Sequence, residues 1–308
     1  EKALTSELSG NMIDLCPVGA LTSNPYSFDT RPWELKKTES IDVMDAVGSA
    51  IRVDTKGGEV MRVLPRLNED VNEEWLADKS RYACDGLMRQ RLDRPYVRED
   101  GMLREASWDE AFNTIADQVK SNSGDRIAAI AGDLCDTESM FALKQVMNAL
   151  GSKNIDCRQD GAKLSSGARG SYVLNTGIAE LENADAVLLV GTNPRWEAPL
   201  VNTRLRKAWL NAGARIGIVG PQLELSYPSE YLGAGPETLA AIADGSHEFA
   251  EVLKSAEHPV IILGMGALTR ADGEAVLATA RKLADTCNVI RDDWNGFNVL
   301  HNAAARVG

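Results

Sequence analysis

The 308-residue chain contains no Cys-x-x-Cys pair, and its five cysteines (Cys16, Cys84, Cys135, Cys157 and Cys287) are odd in number and widely spaced. That pattern excludes a disulfide framework and suits free thiols in a reducing compartment. Only three histidines are present, none in H-x-x-x-H spacing, so no self-contained zinc site is expected. No apolar run approaches the roughly 18–20 residues of a membrane span. The run Pro259 to Leu263 reads as a buried strand. Positive charge is scarce as well. The formal charge is −12, and apart from Arg89, Arg91 and Arg94 the basic residues are scattered, so a nucleic-acid surface is not expected. No signal peptide is visible and the first residue is Glu, not Met, which is expected of a fragment of something longer.

Catalytic signatures are missing too. There is no G-x-G-x-x-G, no phosphate loop ending in Gly-Lys-Ser/Thr, no G-x-S-x-G elbow and no evident Cys–His pairing. The acidic pairs Asp292-Asp293 and Glu73-Glu74 read as solvated charges. Taken alone, the chain shows no self-contained active site.

What is present is an ordinary globular composition, 44% hydrophobic and 25% charged, in a chain long enough for a sizeable core. Residues 1–36 are broken by Gly10, Pro17, Gly19, Pro25 and Pro32, so only a short helix near Cys16 is expected, then an irregular strap through Tyr26, Phe28 and Trp33. Ala50 to Thr55 alternates, meets Lys56-Gly57-Gly58 and is followed by Glu59 to Pro65, which predicts a β-hairpin. Asn72 to Arg91 reads as more helical, interrupted at Gly86. From Ser107 onward helices and strands alternate. Ser107 and Glu110 frame a capping box for a helix to about Lys120. Strands are predicted at 126–131, 186–191, 215–219 and 260–263, and helices at 137–150, 200–212, 237–243, 248–255 and 273–286. Continuous apolar strands between amphipathic helices predict parallel α/β layers.

Two features carry chemistry. Cys16-Pro17 with Gly19 matches the way the last ligand of a ferredoxin-type [4Fe–4S] run commonly ends. Proline turns the chain away, and glycine permits a close backbone approach. A buried structural cysteine before a turn is the competing reading. Gly191-Thr192-Asn193-Pro194 and Gly264-Met265-Gly266 follow buried strands, where open α/β sheets place ligands. Tight βα turns explain them equally well.

The segments Ile13–Ser23, Arg31 to Leu35, Thr38 to Ser49, Asp85 to Leu92 and Asp293 to His301 together closely resemble the large iron–sulfur subunit family of respiratory complex I, the proton-pumping NADH–quinone oxidoreductases (NuoG type), in its alphaproteobacterial and mitochondrial variety. The resemblance covers essentially all of the chain but not the whole family protein, whose N-terminal ferredoxin-like part and C-terminal part are absent. It implies an α/β fold: a molybdopterin-oxidoreductase-like body of Rossmann-like parallel α/β domains, preceded by a small mainly β domain and an irregular N-terminal strap. The implied domains are 1–36, the tail of the ferredoxin-like domain; 37–96, a degenerate [4Fe–4S] domain; 97–160 plus 244–308, one α/β domain; and 161–243, an inserted Rossmann-like domain.

Within that family Cys16 corresponds to the fourth thiolate of a [4Fe–4S] cluster whose other ligands lie upstream, with further clusters, including a [2Fe–2S], also in the absent part. In formate dehydrogenases and their kin the small domain carries its own cluster through C-x-x-C-x-x-x-C and a later cysteine. Asp42, Asp45, Ser49 and Ala77 stand at those positions here, hard oxygen donors and a methyl group that do not suit a cluster. Gly191, Asn193, Gly264 and Gly266 correspond to vestiges of a pterin-dinucleotide site. The implied function is electron-transfer support between NADH, flavin and quinone, with no molybdenum and no catalysis by the isolated fragment. The implied partners are the other peripheral-arm subunits, the flavin-bearing NADH-oxidising subunit among them, with neither nucleic acid nor direct membrane insertion. The implied location is the cytoplasmic face of a bacterial inner membrane, or the matrix side in mitochondria. The alternative is a free-standing molybdopterin-dependent oxidoreductase of the formate dehydrogenase class.

Overall fold

The computed structural model describes residues 4–164 and 167–307. Helix α1 (Asn11–Leu15) is short because Cys16 precedes a proline and adopts extended backbone, φ −74° and ψ 112°. An irregular strap follows as far as a 3₁₀ turn at Pro32–Glu34. The small domain is an antiparallel sheet in the order β1-β2-β3, formed by β1 (Lys36–Ile41), β2 (Ala50–Lys56) and β3 (Glu59–Pro65). The predicted hairpin turns at Gly57, φ +61°, a left-handed conformation that glycine takes without a Cβ penalty. Ile51, Val63 and Leu76 form its core. Strand β1 was not legible in the sequence. All six of its residues are exposed, so it carries no alternation, and pairing with β2 from Lys36↔Thr55 to Ile41↔Ala50 makes it a strand.

Helix is found in the next stretch only at α2 (Asp78–Tyr82) and the 3₁₀ turns after it. The buried Asn72 side chain explains the shortfall. Its amide donates to the carbonyls of Arg66 and Trp75 and its oxygen accepts from Ala50 N, folding the chain before Asp78 into a loop. A hairpin of β4 (Tyr96–Glu99) and β5 (Met102–Glu105) leads to α3 (Trp108–Lys120), β6 (Ala128–Ile130), α4 (Thr137–Ala149) and β7 (Asn154–Asp156). Ser107 Oγ accepts from Glu110 N at 3.2 Å and Asp136 Oδ1 from Ser139 N at 2.7 Å, capping both helices. Strands β6 and β7 form an isolated parallel pair.

The body contains β8 (Ala186–Val190), α5 (Pro194–Glu197), α6 (Pro199–Ala212), β9 (Arg215–Val219), β10 (Glu230–Gly233), α7 (Pro236–Ala243), α8 (Phe249–Ser255), β11 (Pro259–Gly264), α9 (Met265–Leu268), α10 (Gly273–Thr286) and β12 (Phe297–Leu300). Its five strands are parallel, in the order β10-β9-β8-β11-β12. Every residue of β8, β11 and β12 is buried, with separate apolar clusters packed on the two faces of the sheet. At about 1.5–3 kcal/mol per fully buried aliphatic side chain, this sheet is where most of the burial energy resides.

The strand pairing departs from the domain division expected at 243/244. Strand β11 pairs with β8 across that boundary, Pro259↔Ala186 through Leu263↔Val190, so 186–300 is one doubly wound sheet. Two fully apolar strands each need both faces covered and a neighbour on each edge, and they supply these to one another. The segment 97–160 shares no strand with that sheet.

Candidate metal-ligand loop and its supports

Cys16 sits just past α1, partly buried, with Sγ 3.0 Å from the Val18 carbonyl oxygen. Backbone N–H groups of Val18 and Leu21, with a smaller contribution from Ala20, outweigh desolvation and hold its thiol below the ordinary cysteine value. A Cβ added at Gly19 would meet nothing within 4 Å, so no packing within this chain requires glycine there.

What holds the loop is the segment Asp78-Lys79-Ser80-Arg81. Arg81, 5% exposed, donates to Asp14 Oδ2 at 2.6 Å and Asn11 Oδ1 at 3.1 Å. Asp78 Oδ1 accepts from Gly10 N at 2.8 Å, and the Asn11 amide donates to the Leu76 carbonyl at 2.8 Å. A Cβ at Gly10 would lie 2.7 Å from Arg81 Cδ, so the strap lies tight on this guanidinium.

The same segment fills the expected vacant cluster position. Asp42, Asp45, Ser49 and Ala77 are all buried, and the structure gathers them near α2. Ser80 Oγ donates to Asp42 Oδ2 at 2.5 Å, and Asp42 N donates to the Ser49 carbonyl at 2.8 Å. Lys79 Nζ pairs with Asp45 Oδ2 at 3.1 Å and donates to the Glu197 carbonyl in α5 at 2.7 Å, joining the small domain to the body. Burial pushes the Asp42 carboxyl above its usual range, against the hydrogen bonds from Ser80 and Met44. Among the described residues no group of three or more His, Cys, Asp or Glu is arranged to hold a metal ion. The position is taken up by protein hydrogen bonds, and a cluster does not fit it. Cys84 offers no substitute: burial pushes its thiol up, and its Sγ contacts the Arg81 carbonyl. Asp78, Lys79, Ser80 and Arg81 were missed in the sequence as functional supports. Their signal was a run of four polar residues immediately after buried Leu76 and Ala77.

Gly191, Asn193, Gly264 and Gly266 meet at the C-terminal ends of β8 and β11, the point where strand order reverses. The glycines are explained by packing of the two turns. A Cβ at Gly191 (φ +59°) would lie 2.5 Å from Ala267 N, and one at Gly266 would lie 2.6 Å from the Gly191 carbonyl oxygen. Gly264 is equally tight against Thr192. The Asn193 N–H donates to Glu197 Oε1, and its own Oδ1 is buried without a partner among the described residues. Beside Gly191 and Gly266, towards the ends of β9 and β10, lies a crevice of about 110 Å³ that neither Asn193 nor Gly264 lines, against roughly 300–1,000 Å³ for a ligand pocket. A separate cavity of about 440 Å³ opens beyond β12, between Val173, Thr176, Val201 and His301, and none of the expected site residues lines it.

The doubly wound body with a switch-point crevice and a small β domain in front defines the class. A family model described as molybdopterin oxidoreductase matches residues 91–308, and the chain belongs to that family. Two further models narrow the branch: an NADH-ubiquinone oxidoreductase NDSU1/NuoG-like 4Fe-4S domain over 35–85, and an NADH-quinone oxidoreductase subunit 3 ferredoxin-like domain over 1–22. Over all 308 residues the chain is 52% identical to the mitochondrial NADH dehydrogenase (ubiquinone) iron-sulfur protein 1 of Solanum tuberosum, covering 42% of that protein. It is 49% identical to the NADH-quinone oxidoreductase G-subunit of Rickettsia conorii, covering 46%. It therefore lies in the NuoG-like branch, and spans less than half the length of these relatives. Acetylene hydratase from Pelobacter acetylenicus shares the fold at a TM-score of 0.59 and 12% identity, over 83% of this chain and 44% of that one. The relatives favour the complex I reading over the formate dehydrogenase alternative.

Proposed function

We propose that this chain is part of the iron–sulfur subunit of an NADH–quinone oxidoreductase, in which Cys16 supplies one thiolate to a [4Fe–4S] cluster and the remainder is scaffold. The observation that carries the reading is the Cys16 loop, where backbone N–H groups favour the thiolate and Arg81 anchors the helix before it. The open space at Gly19 leaves room for a group to approach from outside the chain. Four ligands are needed, and the other three belong to a part of the full polypeptide not included here, as does a [2Fe–2S] cluster. Once bound, the cluster supplies one-electron transfer on the route from NADH and flavin towards quinone. This chain contributes one ligand and its orientation.

No molybdenum cofactor belongs to the proposal. The support for leaving it out is the close packing of the glycine turns after β8 and β11 against each other. Its partners on this reading are the peripheral-arm subunits, including the flavin-bearing one, at the cytoplasmic or matrix side of the membrane. No helix among the described residues is long and apolar enough to cross a membrane.

The test is low-temperature EPR of the reduced full-length subunit. Cys16→Ala should remove one [4Fe–4S] signal and leave the others in place. Survival of every signal overturns the ligand assignment.

A further inference from the structure

The cavity of about 440 Å³ beyond β12 has no part in the electron-transfer reading. Its volume lies within the range of small-molecule pockets, roughly 300–1,000 Å³. The wall is apolar, built from Val47 of the small domain, Leu174, Val201 of α6 and Val299 of β12. The turn that brings Ala304 and Val307 to it is held in place, because Arg306 between them bonds to Asp133 at 2.7 Å and Asp160 at 2.8 Å.

Among the described lining residues three are polar, and they differ in what they have left to offer. Thr176 is engaged: its hydroxyl donates to the Asn295 carbonyl at 2.7 Å and accepts from Asn298 Nδ2 at 2.9 Å. His301 is only half engaged. It is 3% exposed, and its Nε2 lies 2.5 Å from the Tyr172 carbonyl oxygen. A carbonyl can only accept, so Nε2 carries the proton and Nδ1 presents a lone pair. That Nδ1 is buried without a partner among the described residues. Burial is the chief influence on the ring and holds it below the ordinary histidine value, so the lone pair is free at neutral pH. An unmet buried acceptor costs about 1–3 kcal/mol, which a donor on a ligand would recover. Arg169, in the 3₁₀ turn Arg169–Ser171, is exposed and makes no ion pair among the described residues.

We infer that this cavity binds a hydroxylated aliphatic carboxylate, with the carboxylate towards Arg169, the hydroxyl donating to His301 Nδ1 and the hydrocarbon chain on the apolar wall. A hydroxyl is favoured over an ammonium as the donor, because no acidic side chain among the described residues lines the cavity to offset a buried positive charge. The inference goes beyond the electron-transfer reading and is independent of the cluster assignment.

Isothermal titration calorimetry of the full-length subunit with 2-hydroxyoctanoate, 3-hydroxyoctanoate and octanoate tests it. One molar equivalent of at least one hydroxy acid should bind, and octanoate, which has no hydroxyl to donate, should bind at least about tenfold more weakly. Arg169→Gln should weaken binding of the hydroxy acid about tenfold. His301→Phe, which keeps a flat ring without the acceptor, should erase the preference over octanoate. Arg169 is exposed, so its variant decides the question independently of any effect of the buried ring on folding. Absence of stoichiometric binding by either hydroxy acid overturns the inference. So do equal affinities for the hydroxy acids and octanoate, and so does binding that Arg169→Gln leaves unchanged.

Discussion

Asp42 is 3% exposed and held between Ser80 Oγ and Met44 N. Its carboxyl is raised above the ordinary 3.8 by burial. A carboxyl raised on folding favours the folded state while protonated. That contribution is fully present below the unfolded value and is lost as pH rises through the folded one. Asp42→Asn keeps an acceptor for Met44 and offers a donor to Ser80, yet cannot ionise. Its stability relative to the natural chain should therefore increase between about pH 4 and pH 7, read from urea midpoints at the two pH values. A difference that does not change with pH would mean that Asp42 does not titrate as its burial requires. Cys16 lies at the other extreme, on an exposed loop where backbone dipoles favour the charged form. The Cys-Pro step was visible in the sequence. Its anchor, Arg81, lies 65 residues downstream of Cys16 and becomes a neighbour only in the folded chain.

Two left-handed glycines separate turn chemistry from packing at the level of elements. Gly57 closes β2–β3 with open space where a Cβ would stand, so Gly57→Ala should cost about 1–2 kcal/mol, the price of the backbone conformation alone. Gly191 has the same hand, but a Cβ there would strike the backbone of α9 at 2.5 Å. Gly191→Ala should cost about 2–5 kcal/mol, adding overpacking of about 1–3 kcal/mol to the conformational term. Guanidinium unfolding of the two variants measures the gap, and equal losses would remove the turn-against-turn explanation. Elements whose signal is local were legible in the sequence: the hairpin, the capped helix α3, the apolar strands β8 and β11, and α10 from Gly273 to Thr286. Strands β1, β4, β7 and β10 were not, because they are short or exposed and carry no period-2 burial.

For the molecule as a whole, stability should be divided unequally between the five-stranded sheet and helix α3, which has no buried residue. Ile262 in β11 is fully buried, and Ile262→Ala should cost about 2–5 kcal/mol. Phe112 is 59% exposed, and Phe112→Ala should change this chain by no more than about 0.5 kcal/mol. Thermal or denaturant unfolding of the two variants distinguishes them, and comparable losses would show that α3 is already packed.

Composition, periodicity and the Cys-Pro step determined by themselves the α/β class, most of the long helices and the one metal-ligand candidate, because each depends on residues near in sequence. Tertiary structure decided which strands share a sheet, joining β8 to β11 across an expected domain boundary. It also decided which side chains meet Asp42 and Asp45. Strand partners and buried ion pairs join residues far apart in sequence, so their energies appear only when the chain has closed: Lys79 against Asp45 and Glu197, Ser80 against Asp42, Arg81 against Asp14.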